Sequence, residues 1–360
     1  MGMEESISKL TEEACPSIRY RVRRDILGES IYSQEMMALQ GRIMEDEKVK
    51  EVLSWQKNDG WLGGTFHGDC EPETGIRILI EKGVESCDPV IVAALNAMIA
   101  RGADFDKGSL ERVGKLLDSG HLGGSQMIKA CVFSYAGHED HDFVQQQIEE
   151  ALFGFASTLS INSSKLLYRL HKGKVPVFDH DRIWPGIYHL RLLAYTNSWR
   201  TPEKLQLLCD AINHMILLCP LPEIKLLHKS QIIAPAQMNF MNELAKPIDR
   251  LSPKEWMLWL HGAELIARLG IADRLPAVYE QMSALSDYLK SNGWLFTIPL
   301  SHYYFHRWSP YIGLALENSW RSKDARICDL TFRSLLILKL ARTPNFPPDL
   351  YRGTHPAFIA

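Results

Sequence analysis

The chain has 360 residues, of which 46% are hydrophobic and 23% are charged, a balance typical of a globular protein with a large core. Its formal net charge of -3 provides no basic surface for nucleic acid and no polybasic segment for an anionic membrane. No uncharged apolar run reaches the roughly 18 residues that a membrane-spanning helix needs. We therefore expect no nucleic-acid partner and no membrane span.

Cysteine usage and the N-terminal sequence predict the compartment. The seven cysteines are scattered and none forms a CxxC pair, a pattern typical of reduced thiols. The first ten residues, MGMEESISKL, carry acidic groups where a secretory signal has a basic and then an apolar segment. We expect a cytoplasmic protein, and the sequence predicts no cofactor.

Helix signals recur along the whole chain, whereas alternation with a period of two residues is rare. Start and stop signals predict helices over 89–101, 202–219 and 253–269. The last has the clearest ends, because Ser252 is a good N-cap that begins a capping box and Gly270 supplies a C-terminal stop. The chain is therefore predicted to consist of helical hairpins joined by short loops.

A glycine-centred motif recurs at the predicted hairpin ends. The stretch QKNDGWLGGTFHG contains NDGWLGG (58–64), and related copies are DSGHLGG (118–124) and SNGWLFT (291–297). A left-handed glycine ends a helix and turns the next residue back toward the preceding turn. If each motif glycine takes that conformation, Trp61 and Trp294 cover hairpin ends as buried side chains.

A second repeat and the spacing of the first predict the architecture. WPGIYHLRLLAYTNSWR (184–200) and WSPYIGLALENSWR (308–321) share NSWR and an upstream Trp–Pro–Tyr cluster. The glycines of the first two motif copies are 60 residues apart (120 − 60), so the chain has room for about six hairpins. Helix pairs that cannot bury a face alone must stack as an open solenoid or a closed ring.

Gln56, Asp59, Gly60 and Trp61 resemble the Gln-Trp repeat of squalene and hopene cyclases. The run of hairpins resembles the α/α-toroid superfamily, which also includes protein prenyltransferase β-subunits. The resemblance implies an all-α fold with about six hairpins in a closed or nearly closed ring, formed by residues 1–360 as a single domain. The family has one more residue between glycine and tryptophan, and the other two copies lack the glutamine.

The catalytic motifs of that superfamily are absent. The nearest match to the Asp-x-Asp-Asp acid of class II terpene cyclases is DHDR (179–182). Arg182 in the last position would keep the neighbouring carboxylate ionised and weaken it as an acid. The aspartate-rich magnesium motif and the Asp-x-Cys zinc pattern are missing, so the sequence does not predict a standard member of these enzymes.

The segment 179–189 has the highest density of chemically active side chains. Carboxylates and imidazoles beside aromatic rings suit acid/base chemistry. We predict four catalytic residues and two aromatic walls here: Asp179, His180, Asp181 and His189, with Trp184 and Tyr188. In the alternative interpretation, the acids cap the following helix and Trp184 packs between hairpins.

A second candidate site is SHYYFHRWSP (301–310). His302 and His306 lie four residues apart and would share a helix face as zinc ligands do, but no third ligand follows, so we predict no metal. The aromatic segments 184–199 and 302–320 would instead line an apolar or sugar-binding cavity. Its predicted ligand-binding residues, besides Trp184 and Tyr188, are Trp199, His302, Tyr303, His306, Trp308 and Trp320.

Three functional hypotheses follow. The first is a divergent terpenoid cyclase-like or prenyltransferase-like protein that binds or transforms an apolar, isoprenoid-type molecule in a central aromatic cavity. The second is a glycan-processing toroid, a lyase or a hydrolase, and the third is a non-catalytic scaffold for a protein partner. An apolar central pocket favours the first hypothesis, an open acidic cleft the second, and a filled centre the third.

Overall fold

A computed structural model describes residues 2–342, except residues 109, 180, 236 and 237. Nine α-helices lie in the first 160 residues: α1 (Met3–Glu13), α2 (Pro16–Arg21), α3 (Gln34–Met44), α4 (Glu47–Leu53), α5 (Pro72–Lys82), α6 (Pro89–Ala100), α7 (Val113–Ser119), α8 (Ser125–Tyr135) and α9 (Asp142–Thr158). The helices that follow are α10 (Ile187–Ala194), α11 (Pro202–Leu217), α12 (Pro253–Leu269), α13 (Pro276–Ser291), α14 (Tyr303–His306) and α15 (Lys323–Leu340). A π-helical segment, Val22–Leu27, continues α2.

The three helices predicted from sequence signals are confirmed. In α12, Ser252 Oγ accepts from the Glu255 amide at 3.4 Å, and the Glu255 carboxylate accepts from the Ser252 amide at 2.8 Å. Gly270 then ends the helix in the left-handed conformation, with φ of 73°. The predicted segments 89–101 and 202–219 correspond to α6 and α11, which are capped by Asp88 and Thr201.

The expectation of an all-α fold needs correction, because the chain also forms a small mixed sheet. Its strands are β1 (Tyr168–His171), β2 (Val175–Phe178), β3 (Lys225–His228) and β4 (Gln231–Pro235), and they lie in the order β1-β2-β3-β4. The two outer pairs are antiparallel and the central pair is parallel. A three-residue connection, 172–174, joins β1 to β2, and two of its residues, Lys172 and Gly173, have the positive φ that a tight hairpin turn requires. Strands of four or five residues are too short to produce a clear period-two pattern.

The glycine motif follows α4, α7 and α13, but its copies differ in backbone conformation. Gly60 and Gly293 are left-handed as predicted, with φ of 86° and 64°. Gly120 is not, since its φ is -99° and His121 takes the left-handed conformation instead. A Cβ on Gly60 would lie 2.6 Å from the Ala93 carbonyl oxygen, so glycine is required there for space as well as for φ.

Both motif tryptophans are buried, as predicted. Trp61 is 1% exposed, its indole N–H donates to the Thr65 carbonyl at 3.1 Å, and the Arg101 guanidinium lies 3.9 Å from its ring centroid. Trp294 is also buried, and its carbonyl accepts from the hydroxyl of Ser6 in α1 at 2.8 Å. Trp61 therefore packs against the segment after α6, whereas Trp294 joins its loop to the N-terminal helix.

Six helical segments contact one another in succession. Helix α5 packs on α8, α8 on α10, α10 on α12, α12 on α15, and α15 on α2 and its π-helical extension. Arg21 of α2 then pairs with Glu81 of α5 at 2.6 Å, which connects the last member to the first. Helices α3, α4, α9 and α13 pack against individual members of this series, which we call the inner helices.

Contacts between α5 and α10 show that these two inner helices run in the same direction. Glu73, near the start of α5, accepts a hydrogen bond from Tyr188 near the start of α10. Glu81, near the end of α5, accepts one from Tyr195, which directly follows α10. Side chains at equivalent positions along these two helices therefore contact each other.

Replacing Trp61 by alanine should lower the free energy of unfolding by about 3–5 kcal/mol, because the change removes a fully buried aromatic side chain and leaves a cavity. Urea denaturation measures the loss. The control is Tyr32→Ala, since Tyr32 is 81% exposed and its removal should change stability by less than about 0.5 kcal/mol. Equal losses in the two variants would contradict a structural role for Trp61.

Candidate functional site

The predicted catalytic residues in 179–189 lie in different environments. Asp181 is exposed, and Asp179 is partly buried and accepts from the Asp181 amide through Oδ1 at 3.4 Å. His180 lies outside the described residues. His189 is fully buried, and its ring packs against Gly123 and Gly154. The local hydrogen bond fits a turn, and the structure does not bring the buried imidazole to the exposed carboxylate.

His189 is held inside the protein in its neutral form. Its Nδ1 accepts from the Gly186 amide at 3.0 Å, and Nε2 has no hydrogen-bond partner among the described residues. Burial lowers the pKa of this imidazole to about 4, since desolvation disfavours the charged form. The ring belongs to the packing of α10 against its neighbours.

Three predicted ligand-binding tryptophans are buried with their indole N–H groups satisfied. Trp184 donates to the Met238 carbonyl at 3.1 Å, Trp199 donates to the Leu193 carbonyl at 3.2 Å, and Trp320 donates to the Asp329 carboxylate at 2.7 Å. Trp320 also stacks on Phe305, with ring centroids 4.6 Å apart. Such contacts are those of core aromatic residues.

The second predicted site, 301–310, faces outward at several positions. Tyr303 and His306 are exposed, and His302 Nδ1 accepts from the Tyr304 amide at 3.2 Å as the cap of α14. Trp308 is buried, and the Arg77 guanidinium lies 4.9 Å from its ring centroid. Among the four predicted ligand-binding residues of this segment, only the side chain of Trp308 lies against a buried charged group of the inner helices.

A network of buried ion pairs connects several inner helices, and its positive and negative charges are equal in number. Glu81 Oε2 accepts from Arg21 at 2.6 Å and from Arg333 at 3.1 Å, and Arg333 also donates to Glu264 at 2.5 Å. We call this the charge-balanced network, and it comprises four guanidiniums and four carboxylates: Arg21, Arg24, Arg268 and Arg333, with Asp25, Glu81, Glu85 and Glu264. Although burial acts to raise it, Arg333 and Arg21 hold the pKa of Glu81 well below its usual range.

Two further buried guanidiniums hold the loop 308–313. Arg77 donates to the carbonyls of Ser309 at 2.6 Å, Ile312 at 2.5 Å and Gly313 at 3.2 Å. Arg191 donates to the carbonyl of Pro310 at 2.6 Å. Neither arginine forms an ion pair with a carboxylate within the described part of the chain. This loop therefore contacts two cations through neutral groups, namely its carbonyl oxygens and the Trp308 ring.

A carboxylate, an imidazole and two phenols meet beside these cations. Glu73 Oε2 lies 2.5 Å from His67 Nδ1, and Glu73 Oε1 accepts from the Tyr188 hydroxyl at 2.5 Å. His67 Nε2 lies 3.5 Å from the hydroxyl of Tyr311. Glu73 and Tyr188 are buried, whereas His67 and Tyr311 keep part of their surface exposed. We call these residues the His67–Glu73 cluster.

Electrostatic effects connect this cluster to the arginines. Burial raises the pKa of the Tyr188 hydroxyl well above its usual range, and the neighbouring Glu73 and Tyr311 raise it further. Burial also raises the pKa of Tyr311, and Arg191 opposes that change. Burial, followed by the cations of Arg191 and Arg77, lowers the pKa of His261 well below its usual range. At neutral pH these phenols stay protonated and His261 stays neutral.

The sequence predictions include Tyr188, His189 and Trp308 but none of the buried charges between the inner helices. Arg77 stands between two isoleucines, Arg191 between two leucines and Arg333 after a phenylalanine. A charged residue within an apolar helical run is a usable signal, because long charged side chains are almost never fully buried unless paired. His67 lies in the loop before α5, and Glu73 lies in the first turn of that helix. Nothing in their spacing along the chain predicts that the two side chains are in contact.

Searches beyond the chain itself do not assign the site to a class. No family model matches the chain, and no match was found among the curated proteins or the solved structures compared with it. Within the described ranges, no group of three or more His, Cys, Asp or Glu side chains is arranged to hold a metal ion. In the same ranges, no helix combines the length and apolar character needed to cross a membrane.

The buried His189 predicts a pH dependence of stability. The unfolded chain binds a proton below pH 6.5, whereas the folded protein resists it until about pH 4, so stability falls as the pH drops through that window. The loss from this group is about 3 kcal/mol. Denaturation of the wild type and of His189→Gln at several pH values measures it, and the variant should lose less stability on acidification. The exposed His306→Gln is the control, and a slope in His189→Gln equal to that of the wild type would contradict this assignment.

Proposed function

We propose that the inner helices form the wall of a closed α/α toroid, with residues 1–360 as one domain. The succession of contacts from α5 through α15 to α2, and the Arg21–Glu81 pair that connects α2 back to α5, support a ring. The motif copies after α4, α7 and α13 support repetition of a helix–motif unit. Kinship with terpenoid cyclases and prenyltransferases stays a prediction from the Gln56–Trp61 motif.

We further propose that the protein is an acid/base enzyme acting on a polar, hydroxyl-bearing molecule at the His67–Glu73 cluster. The observation that supports this is the approach of Glu73 to His67 Nδ1, with Nε2 directed toward Tyr311. A carboxylate at Nδ1 favours the tautomer with its proton there, which makes Nε2 the proton acceptor. The partly exposed His67 and Tyr311 are the members of the cluster that a ligand would contact.

The division of roles follows from the surroundings of each group. Nε2 of His67 would take a proton from the ligand, and Glu73 would stabilise the imidazolium that forms. Tyr311 stays protonated, because burial raises its pKa, and its hydroxyl would donate to a leaving or developing oxygen. The hydrogen bond from Tyr188 holds the Glu73 carboxylate in place.

The chemistry of the centre favours a polar ligand over an apolar one. Arg77, Arg191 and Glu73 are buried in the region where an isoprenoid chain would need an apolar lining. A glycan lyase or hydrolase is the class with the required combination of His, Tyr and carboxylate, and we prefer it. The apolar-ligand hypothesis stays a prediction, and so does catalysis by Asp179, His180, Asp181 and His189. The cavity lined by Leu260, Trp320 and Arg333 has a volume of about 10 Å³, which is room for about one water molecule. A non-catalytic scaffold, the hypothesis that a filled centre favours, is therefore the alternative outcome of the test below.

We expect the wild-type protein to process a member of a panel of neutral and acidic oligosaccharides. New reducing ends report hydrolysis, and ultraviolet absorbance of an unsaturated product reports lyase activity. His67→Gln and Glu73→Gln preserve shape and remove the base and its partner, so kcat should fall about 10²–10⁴-fold. The melting temperature, measured in parallel, should change little for His67→Gln.

The control is His171→Gln, which removes a partly exposed histidine of β1 outside both predicted sites and should leave kcat unchanged. Full activity in His67→Gln would exclude the cluster as the catalytic centre. Failure of the wild type to bind or process any sugar of the panel would contradict the glycan assignment and favour the scaffold hypothesis.

A further inference from the structure

Arg191 is a buried cation whose hydrogen-bonding capacity is mostly unused by the protein. The residue is 1% exposed, and Nη1 donates to the Pro310 carbonyl. Its Nε and Nη2 atoms have no hydrogen-bond partner among the described residues. Unsatisfied buried donors of a charged group are costly, so a structure that retains them points to a ligand or another partner.

The charge around Arg191 is also unbalanced. Arg77 and Arg191 are close enough that burial, and then the Arg191 cation, lower the pKa of Arg77. Glu81 and Glu73 both act on Arg77, and Glu73 also acts on Arg191. Glu81 is already paired with Arg21 and Arg333, and the Glu73 oxygens already contact His67 and Tyr188. With Arg77, Arg191 and Glu73 added to the charge-balanced network, six cations lie beside five carboxylates, an excess of one positive charge.

Two neutral hydrogen-bonding groups, Tyr135 of α8 and His261 of α12, lie on helices that pack directly against α10, the helix of Arg191. Burial raises the pKa of Tyr135, and the Arg191 cation opposes that change. His261 is partly exposed although it is surrounded by the central charges. Neither the Tyr135 hydroxyl nor the His261 ring has a hydrogen-bond partner within the described ranges. A phenol and a neutral imidazole can each donate one hydrogen bond to an anion.

We propose that Arg191, with Tyr135 and His261, binds an anionic oxygen group of the ligand, either a carboxylate or a phosphate. The guanidinium supplies parallel N–H donors, which match the oxygens of both groups, and a bound anion would neutralise the excess charge. This inference rests on the proposed function, because it assigns an acidic rather than a neutral substrate to the same site. The His67–Glu73 cluster then acts on a neighbouring part of the molecule.

Isothermal titration calorimetry measures anion binding without catalytic turnover. The protein is titrated with sodium acetate and with sodium phosphate at constant ionic strength, with chloride as the balancing ion. The wild type should bind one of them saturably and gain thermal stability. Tighter binding of acetate indicates a carboxylate ligand, and tighter binding of phosphate indicates a phosphorylated one. Tyr135→Phe and Arg191→Lys should weaken that binding about 10–100-fold, since each removes a hydrogen bond to a charged group.

Matched variants separate this proposal from the acid/base proposal. His67→Gln should bind the anion as the wild type does, even when it has lost all activity. Arg250→Gln removes an exposed arginine and should also leave binding unchanged. If Arg191→Lys does not fold, Tyr135→Phe decides alone, because it removes a single hydroxyl group. Lack of saturable binding to the wild type, or wild-type affinity in Tyr135→Phe, overturns the anion subsite.

Discussion

The carboxylate of Glu81 joins three inner helices at one point. It accepts from Arg21 of α2 and Arg333 of α15, and Arg333 in turn contacts Glu264 of α12. Each of these groups is buried, so removing one partner would leave a charge inside the protein without compensation. The arrangement of helices around the centre therefore depends on matched charges as well as on apolar packing.

The same principle separates structural from functional groups at the centre. In the charge-balanced network every guanidinium has a carboxylate partner, so it needs no ligand. Midway along α5 and α10, the cations of Arg77 and Arg191 are bound to carbonyl groups of the loop 308–313, and the neighbouring Glu73 contacts an imidazole. A buried region with excess positive charge and unused donors is suited to an anion, and a carboxylate–imidazole pair beside it is suited to proton transfer.

Features that depend on residues close together in the chain, such as helix ends, could be predicted from the sequence. The ends of α12 follow from Ser252, Glu255 and Gly270, and the burial of Trp61 follows from the left-handed Gly60 before it. The sequence does not predict the sheet, because its strands span four or five residues and its central pair, β2–β3, forms across α10 and α11. In the second motif copy His121 is left-handed and Gly120 is not, so copies that are similar in sequence differ in backbone conformation.

The candidate site depended on long-range contacts and could be predicted only in part. Tyr188 was placed correctly among chemically active groups, but its partner Glu73 is 115 residues away. The segment 179–189 appeared to be one site because its residues are adjacent in the chain. The structure separates them, since His189 is buried against Gly123 and Gly154 while Asp181 is exposed. Density of polar residues in a sequence therefore identified the right helix, α10, without identifying its partners.

A double-mutant cycle between Glu264 and Arg333 tests most directly whether matched charges hold the inner helices together. The two side chains lie on α12 and α15 with 2.5 Å between the bonded atoms. Glu264→Gln, Arg333→Met and the double variant are compared with the wild type by urea denaturation. We predict a coupling free energy of about 1–3 kcal/mol, as for groups in one buried network. Additive effects, within about 0.3 kcal/mol, would contradict the central role of the network.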